Sequence, residues 1–191
     1  MSGRGGTRTI RSRETSVTNA FVQSILPDSR PDPEEERAVL AFFGQRTEQR
    51  LCVYCGAPGG TWDHLYAYVK DKRPSGYINS AWNRVPACSD CNSAKGSKHW
   101  RDFLRSGSKK SPRGRGCVDM EERIAKLEAF EGLGRLRALD IEALAPADIW
   151  ESYWRKRDAI EAMLKEADLE SRELRRRIQE ALDRSVANDP A

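Results

Sequence analysis

The stretch CVYCGAPGGTWDHLYAYVKDKRPSGYINSAWNRVPACSDCNSAKGSK, from Cys52 to Lys98, decides how the rest of the chain is read. Two Cys-x-x-Cys pairs, Cys52/Cys55 and Cys88/Cys91, bracket an Asp63-His64 dipeptide and Asn83, and the second pair runs directly into Asn92. Four thiolates in two knuckles suit a tetrahedral structural zinc ion, whose coordination they fill. A filled shell needs no histidine, which leaves Asp63, His64 and Asn92 for another task. A redox pair of pairs is the competing reading of the cysteines, and the spacing favours zinc.

In this order the residues resemble the HNH endonucleases of the ββα-metal, or His-Me finger, fold. That family places an acidic residue and a histidine at the end of a first strand, then an asparagine in the hairpin. A Cys-x-x-Cys follows, with His or Asn opening the helix. Asp63-His64, Asn83 and Cys88-Ser-Asp-Cys91-Asn92-Ser-Ala-Lys95 match that pattern, in its His-Asn-Asn variant, over about a quarter of the chain. The resemblance implies a small ββα-metal, zinc-containing nuclease module, and with helical patterns flanking it and a mostly helical C-terminal half the chain reads as α+β. It also implies metal-dependent phosphodiester hydrolysis. Asp63 and Asn92 would ligate one catalytic Mg²⁺ or Mn²⁺, His64 would be the general base, and Asn83 would brace the hairpin and orient His64.

The chemistry of those residue types agrees with the roles. Neighbours in a strand point to opposite faces, so Asp63 and His64 can serve one centre from two sides. Carboxylate and amide oxygens are hard ligands suited to Mg²⁺ or Mn²⁺, and histidine titrates near operating pH. Each residue also has a plainer reading: His64 as an ordinary histidine, Asn92 as a helix cap. Two departures from the family stand out. Ala67 follows His64 by three residues where a proline is common, and Asn92 replaces a histidine, which shifts preference away from softer transition metals and towards Mg²⁺ or Mn²⁺.

Positive charge is concentrated rather than abundant. Net charge is +4 with a pI near 8.9, yet Lys95, Lys98, Arg101, Arg105, Lys109, Lys110, Arg113 and Arg115 face only Asp102 within their stretch. Arg4, Arg8, Arg11 and Arg13 form a second acid-free run. Beside a nuclease-like motif such patches read as phosphate contacts more than as solvated faces. Arg84, Lys95, Lys98 and Arg101 are the nucleic-acid-binding candidates. With 38% hydrophobic and 32% charged residues, no apolar run approaches the ~20 residues of a membrane helix. The start lacks a secretory h-region, and four of five cysteines sit in metal-type pairs, which favours a reducing, cytoplasmic location. Cys117 has no evident partner, and His99 reads as a surface or DNA-side residue.

Along the chain, residues 1–31 read as a flexible basic arm, with Val22, Ile25 and Leu26 hinting at a short ordered segment. Residues 32–105 form the nuclease module. It opens on a helix capped by Asp32-Pro33 and stopped by Gly44. The β-rich composition predicts a strand over Thr61–Val69, Tyr77–Val85 reads as a second strand or an extended loop, and one helix follows from Cys91 to about Leu104. Residues 106–118 read as a basic linker. The helical region 119–191 begins with a helix capped by Asp119 and ended by Gly132. A long pattern follows from Pro146 to about Ser185, either broken near Asp168–Ser171 or an extended arm, with pairing of two protomers slightly favoured over plain packing. The whole points to an endonuclease of double-stranded DNA, site-specific and dimeric in the manner of a small type II restriction enzyme. The alternatives are a phage, mobile-element or nicking HNH nuclease, an RNA-directed or toxin nuclease, and a non-catalytic zinc-ribbon DNA-binding protein.

Overall fold

The structure, a computed structural model, describes residues 9–27 and 31–187. Arg4 and Arg8 of the expected arm lie outside them. The fold is α+β, with helices dominating two small two-stranded sheets. The chain divides into two compact units, residues 25–141 and the pair of segments up to Ser24 and from Glu142 on. No described helix is long and apolar enough to cross a membrane.

In the terminal unit, a 3-10 turn at Ile10–Arg13 leads into α1 (Glu14–Ile25), which packs on a single helix, here α6 (Ala147–Ala187). The described part of the expected arm is therefore ordered. The reason is packing that local composition does not announce. Thr18 and Val22, one turn apart, are buried, and Phe21 lies 4.9 Å from the Tyr153 ring. Buried Arg157 donates to Thr18 Oγ1 at 2.7 Å, and the Arg11 amide donates to Asp168 Oδ1 at 3.3 Å. The long C-terminal pattern is unbroken through Asp168–Ser171, because Arg172–Asp168, Arg176–Glu180 and Arg177–Glu173 pairs at i,i+4 spacing support the helix along its own surface.

The central unit opens on α2 (Pro33–Phe42). Asp32 caps it by accepting from the Glu34 amide at 2.9 Å, Pro33 takes the first helical position, and Glu34, Glu35 and Glu36 sit at its positive end. The first cysteine knuckle then leads into β1 (Thr61–His64), which pairs antiparallel with β4 (Arg84–Ala87) in the register Thr61↔Ala87 to His64↔Arg84. The first strand is shorter than expected, and Tyr77–Val85 is mainly loop with a 3-10 turn at Ala81–Asn83, joining β4 only at Arg84 and Val85. Between β1 and that turn lie only a small hairpin, β2 (Val69–Lys70) with β3 (Arg73–Pro74), and irregular backbone. The expected helix from Cys91 is two helices, α3 (Ser89–Lys95) and α4 (Trp100–Arg105). Gly96, at φ +52°, ends the first, and the His99 side chain caps the second by accepting from the Arg101 amide.

α5 (Met120–Glu131) completes this unit and does not stand apart from it, so the unit is wider than the 32–105 drawn from sequence. Ile124, Leu127 and Phe130, at core spacing, are buried with Val39, Phe43 and Tyr54 in one apolar cluster. Phe130 meets Phe43 at 5.0 Å and Phe42 at 5.2 Å between ring centroids. Asp119 precedes α5 at φ +60° and makes no side-chain cap bond, contrary to the expected capping, while Gly132 follows the helix as expected. Leu127 is fully buried, so Leu127→Ala should destabilise the protein by about 2–5 kcal/mol. A fall in denaturant midpoint at unchanged m-value would register it.

Candidate metal centre and the adjoining histidine site

Two turns bring the four cysteines together. In the first, the Cys52 amide donates to Ala57 O at 2.7 Å and the Gly56 amide to Cys52 O at 2.8 Å. In the second, Cys88 stands at the N-cap of α3, its sulfur accepting from the Cys91 amide at 3.4 Å. The Sγ atoms of Cys52, Cys55, Cys88 and Cys91 all lie within 4.8 Å of one another, and Cys55 and Cys88 are 3.7 Å apart. A zinc–sulfur bond of about 2.3 Å places tetrahedral sulfurs about 3.8 Å apart. The four cysteines can therefore hold a metal ion such as zinc. The thiols also interact with one another. The hydrogen bond from Cys91 draws Cys52 down to about 5 against the effect of burial, whereas burial pushes Cys55 up to about 11.

β1 and α3 meet beside this centre. Asp63 and Lys95 are both buried, with Lys95 Nζ 3.0 Å from Asp63 Oδ2. The same ammonium donates to His64 O at 2.6 Å, and the Tyr54 hydroxyl donates to Asp63 Oδ2 at 2.6 Å. Burial pushes Asp63 up and Lys95 down, and the contact between them opposes both shifts. Burial first, then Asp63, keeps the Tyr54 phenol protonated, so its hydroxyl remains a donor. Asn92, one turn before Lys95, donates through Nδ2 to Trp62 O at 3.1 Å and to Thr61 Oγ1 at 3.4 Å. These bonds use one oxygen of Asp63 and the nitrogen of Asn92. Asp63 Oδ1 and Asn92 Oδ1 take no part in them.

His64 is half-buried at the end of β1. Its Nε2 lies 2.9 Å from Asn79 Oδ1, and its ring meets Tyr68 edge-on at 4.9 Å. An amide oxygen only accepts, so with this amide orientation Nε2 carries the hydrogen and Nδ1 is the basic nitrogen. Burial lowers the His64 pKa below its ordinary value, against the Asn79 bond and the charge of Asp63. Asn83, almost wholly buried, ties the loop around that pair. Its Oδ1 accepts from the Tyr66 amide at 2.9 Å, and its Nδ2 donates to Tyr66 O at 2.9 Å and Ile78 O at 3.1 Å.

The structure thus brings together Asp63, His64, Asn83, Asn92 and the four cysteines. It does not present all of the basic candidates. Lys95, expected as a phosphate contact, is buried and committed to Asp63 and His64 O, so no phosphate reaches it. Arg84 pairs with Glu36 at 2.7 Å and lies over Trp62, while Arg101 bridges Glu128 and Glu131 and covers Trp100. Lys98 is exposed. Tyr54 and Asn79 were missed by sequence reasoning. Tyr54 sits inside the first Cys-x-x-Cys and could have been found there, whereas nothing in the spacing marks Asn79.

Comparisons of the chain with protein-family models, with curated proteins and with solved structures found no match. Replacing Asn83 with Ala strands the Tyr66 amide and two carbonyls, a loss expected to cost at least about 1–3 kcal/mol. Chemical denaturation would measure it, and the His64 imidazole resonances should broaden or shift in the same variant.

Proposed function

We propose that the chain is a metal-dependent endonuclease of the HNH, ββα-metal kind, acting on phosphodiester bonds of double-stranded DNA. The observation that carries this reading is the junction of β1 and α3: a half-buried, neutral-leaning His64 held by Asn79, a carboxylate from the opposite side of β1, and Asn92 bonded to the β1 backbone. Such a histidine can take a proton from water as the water oxygen attacks phosphorus and the phosphorus–oxygen bond to the leaving group breaks. Nε2 stays bonded to Asn79, so the ring is aimed before substrate arrives. Asn83 fixes the loop that carries Asn79, which makes it a positioning residue.

The donor set fits a hard divalent cation. Asp63 Oδ1 and Asn92 Oδ1 are the oxygens that would hold Mg²⁺ or Mn²⁺, with phosphate and solvent completing the shell. Such an ion, when bound, supplies positive charge to the developing oxyanion and the leaving oxygen. The four cysteines hold a structural zinc in this reading, outside the chemistry. Exposed Lys98, Arg105, Lys109 and Lys110 supply sequence-blind attraction to the backbone. In this reading the biological role is site-specific, restriction-type cutting by a homodimer.

A second reading is favoured by one specific contact. Asp63 Oδ2 is already taken by Lys95 and Tyr54, as it would be in a zinc-containing DNA-binding protein without catalysis. Plasmid DNA incubated with Mg²⁺ or Mn²⁺ separates the two. Discrete fragments are expected from the wild type, with His64→Ala slower by at least about 100-fold at unchanged DNA binding. Binding without cleavage in both proteins overturns the nuclease reading and leaves the binder.

A further inference from the structure

We propose that Arg115 is a charge-balancing and positioning residue of the four-cysteine metal centre, delivered to it by a built loop over residues 106–117. The inference rests on a metal ion in that centre and is independent of whether the chain cuts DNA. Arg115 belongs to the basic stretch whose composition reads as a phosphate-binding linker. In the structure its Nη2 donates to Cys91 Sγ at 2.7 Å, and its Nη1 lies 3.9 Å from Asp90 Oδ2. The guanidinium therefore reaches α3 beside the metal-facing sulfur.

The loop is shaped to place it there. Ser111 is fully buried, and its hydroxyl is shared between Ser106 O and Ser108 O while accepting from the Gly114 amide at 3.0 Å. The Arg115 amide donates to Ser111 O at 3.0 Å, and the Cys117 amide to Pro112 O at 3.0 Å. At Gly114 any Cβ would stand 1.9 Å from Ser108 O, so the backbone closes on itself only with glycine at that position. A passive linker needs none of these constraints.

The metal chemistry supplies the reason. Four thiolates around a divalent cation carry two excess negative charges, and hydrogen bonds to the sulfurs spread that charge. Cys91 is fully buried, so water cannot solvate its sulfur. Backbone amides serve the other sulfurs, those of Tyr54, Cys55 and Cys88 at Cys52, that of Ala57 at Cys55 and that of Cys91 at Cys88. Arg115 provides a charged N–H···S bond to Cys91. A planar guanidinium presents its N–H donors in a fixed fork that can address sulfur and the Asp90 carboxylate together, whereas a lysine offers a more mobile point charge.

The experiment measures zinc by mass spectrometry and then its transfer to a chromogenic chelator, for the full chain and three variants. Wild type should hold one zinc per chain. Arg115→Gln should release it roughly 10-fold faster, Arg115→Lys at an intermediate rate, and Arg137→Gln, an exposed arginine elsewhere, at the wild-type rate. In cobalt-substituted protein the thiolate-to-metal charge-transfer bands should shift in Arg115→Gln and stay in place in Arg137→Gln. These bands report the sulfur directly, so the cobalt-loaded Arg115→Lys protein decides the matter if Arg115→Gln does not fold. Equal release rates and unmoved bands with zinc present overturn the role of Arg115 alone. A wild type that binds no metal overturns the metal centre as well.

Discussion

The buried ammonium of Lys95 holds the centre of this protein together. It bonds at once to the Asp63 carboxylate and the His64 carbonyl, and so fixes α3 against β1. Desolvating two charges costs several kcal/mol per ion, and their attraction offsets it only when the geometry is good and the remaining lone pairs are used. Tyr54 supplies that additional bond to Asp63. Such a pair adds little net stability against an apolar replacement, yet breaking it leaves a stranded charge. Its effect is therefore on register. A one-residue slip of α3 would rotate Lys95 by about 100° away from its partners.

What could be read in the sequence follows the range of the interactions involved. The helix after Asp32-Pro33 was legible because its cap, first-turn proline and acidic turn are all local. The helix ending at Gly132 was legible from the spacing of Ile124, Leu127 and Phe130. Tyr66, Tyr68, Val69, Tyr77 and Ile78 suggested one long strand and a second strand or extended loop, but aromatic and β-branched composition marks a half-buried surface rather than a ladder. Tyr66 and Tyr77 instead stack at 4.3 Å, and Asn83 takes the backbone bonds that a strand partner would have taken. α1 was legible only as a hint of order near Val22 and Ile25, because it buries only Thr18 and Val22, against residues more than a hundred positions away.

Charge was the least legible property of the candidate site. Arg84, Lys95, Arg101 and Arg115 look alike in sequence, as cations near a zinc-type motif. Each turns out to have an internal partner: a carboxylate for the first three and a thiol sulfur for Arg115. A basic residue in sequence declares its charge but not its counter-ion, which is set by tertiary placement. The lysines of the same stretch, Lys98, Lys109 and Lys110, stay at the surface.

The spacing Cys88-x-x-Cys91-Asn92-x-x-Lys95 can be understood without reference to any relative. α3 has seven residues, and its first turn must point two sulfurs at one centre. Cys91 and Lys95 are four apart, so they share a face, and both are fully buried there. Asn92, about 100° around the helix from Cys91, falls at the rim, where its amide reaches the β1 backbone and its oxygen stays out of those bonds. One short helix therefore joins the metal centre, the buried ion pair and the rim donor. Inserting a residue between Cys91 and Lys95 would uncouple all three, since sulfur and ammonium could no longer face inward together. Geometry alone thus ties the second knuckle and the lysine that anchors β1 to one short helix, whatever chemistry the site performs.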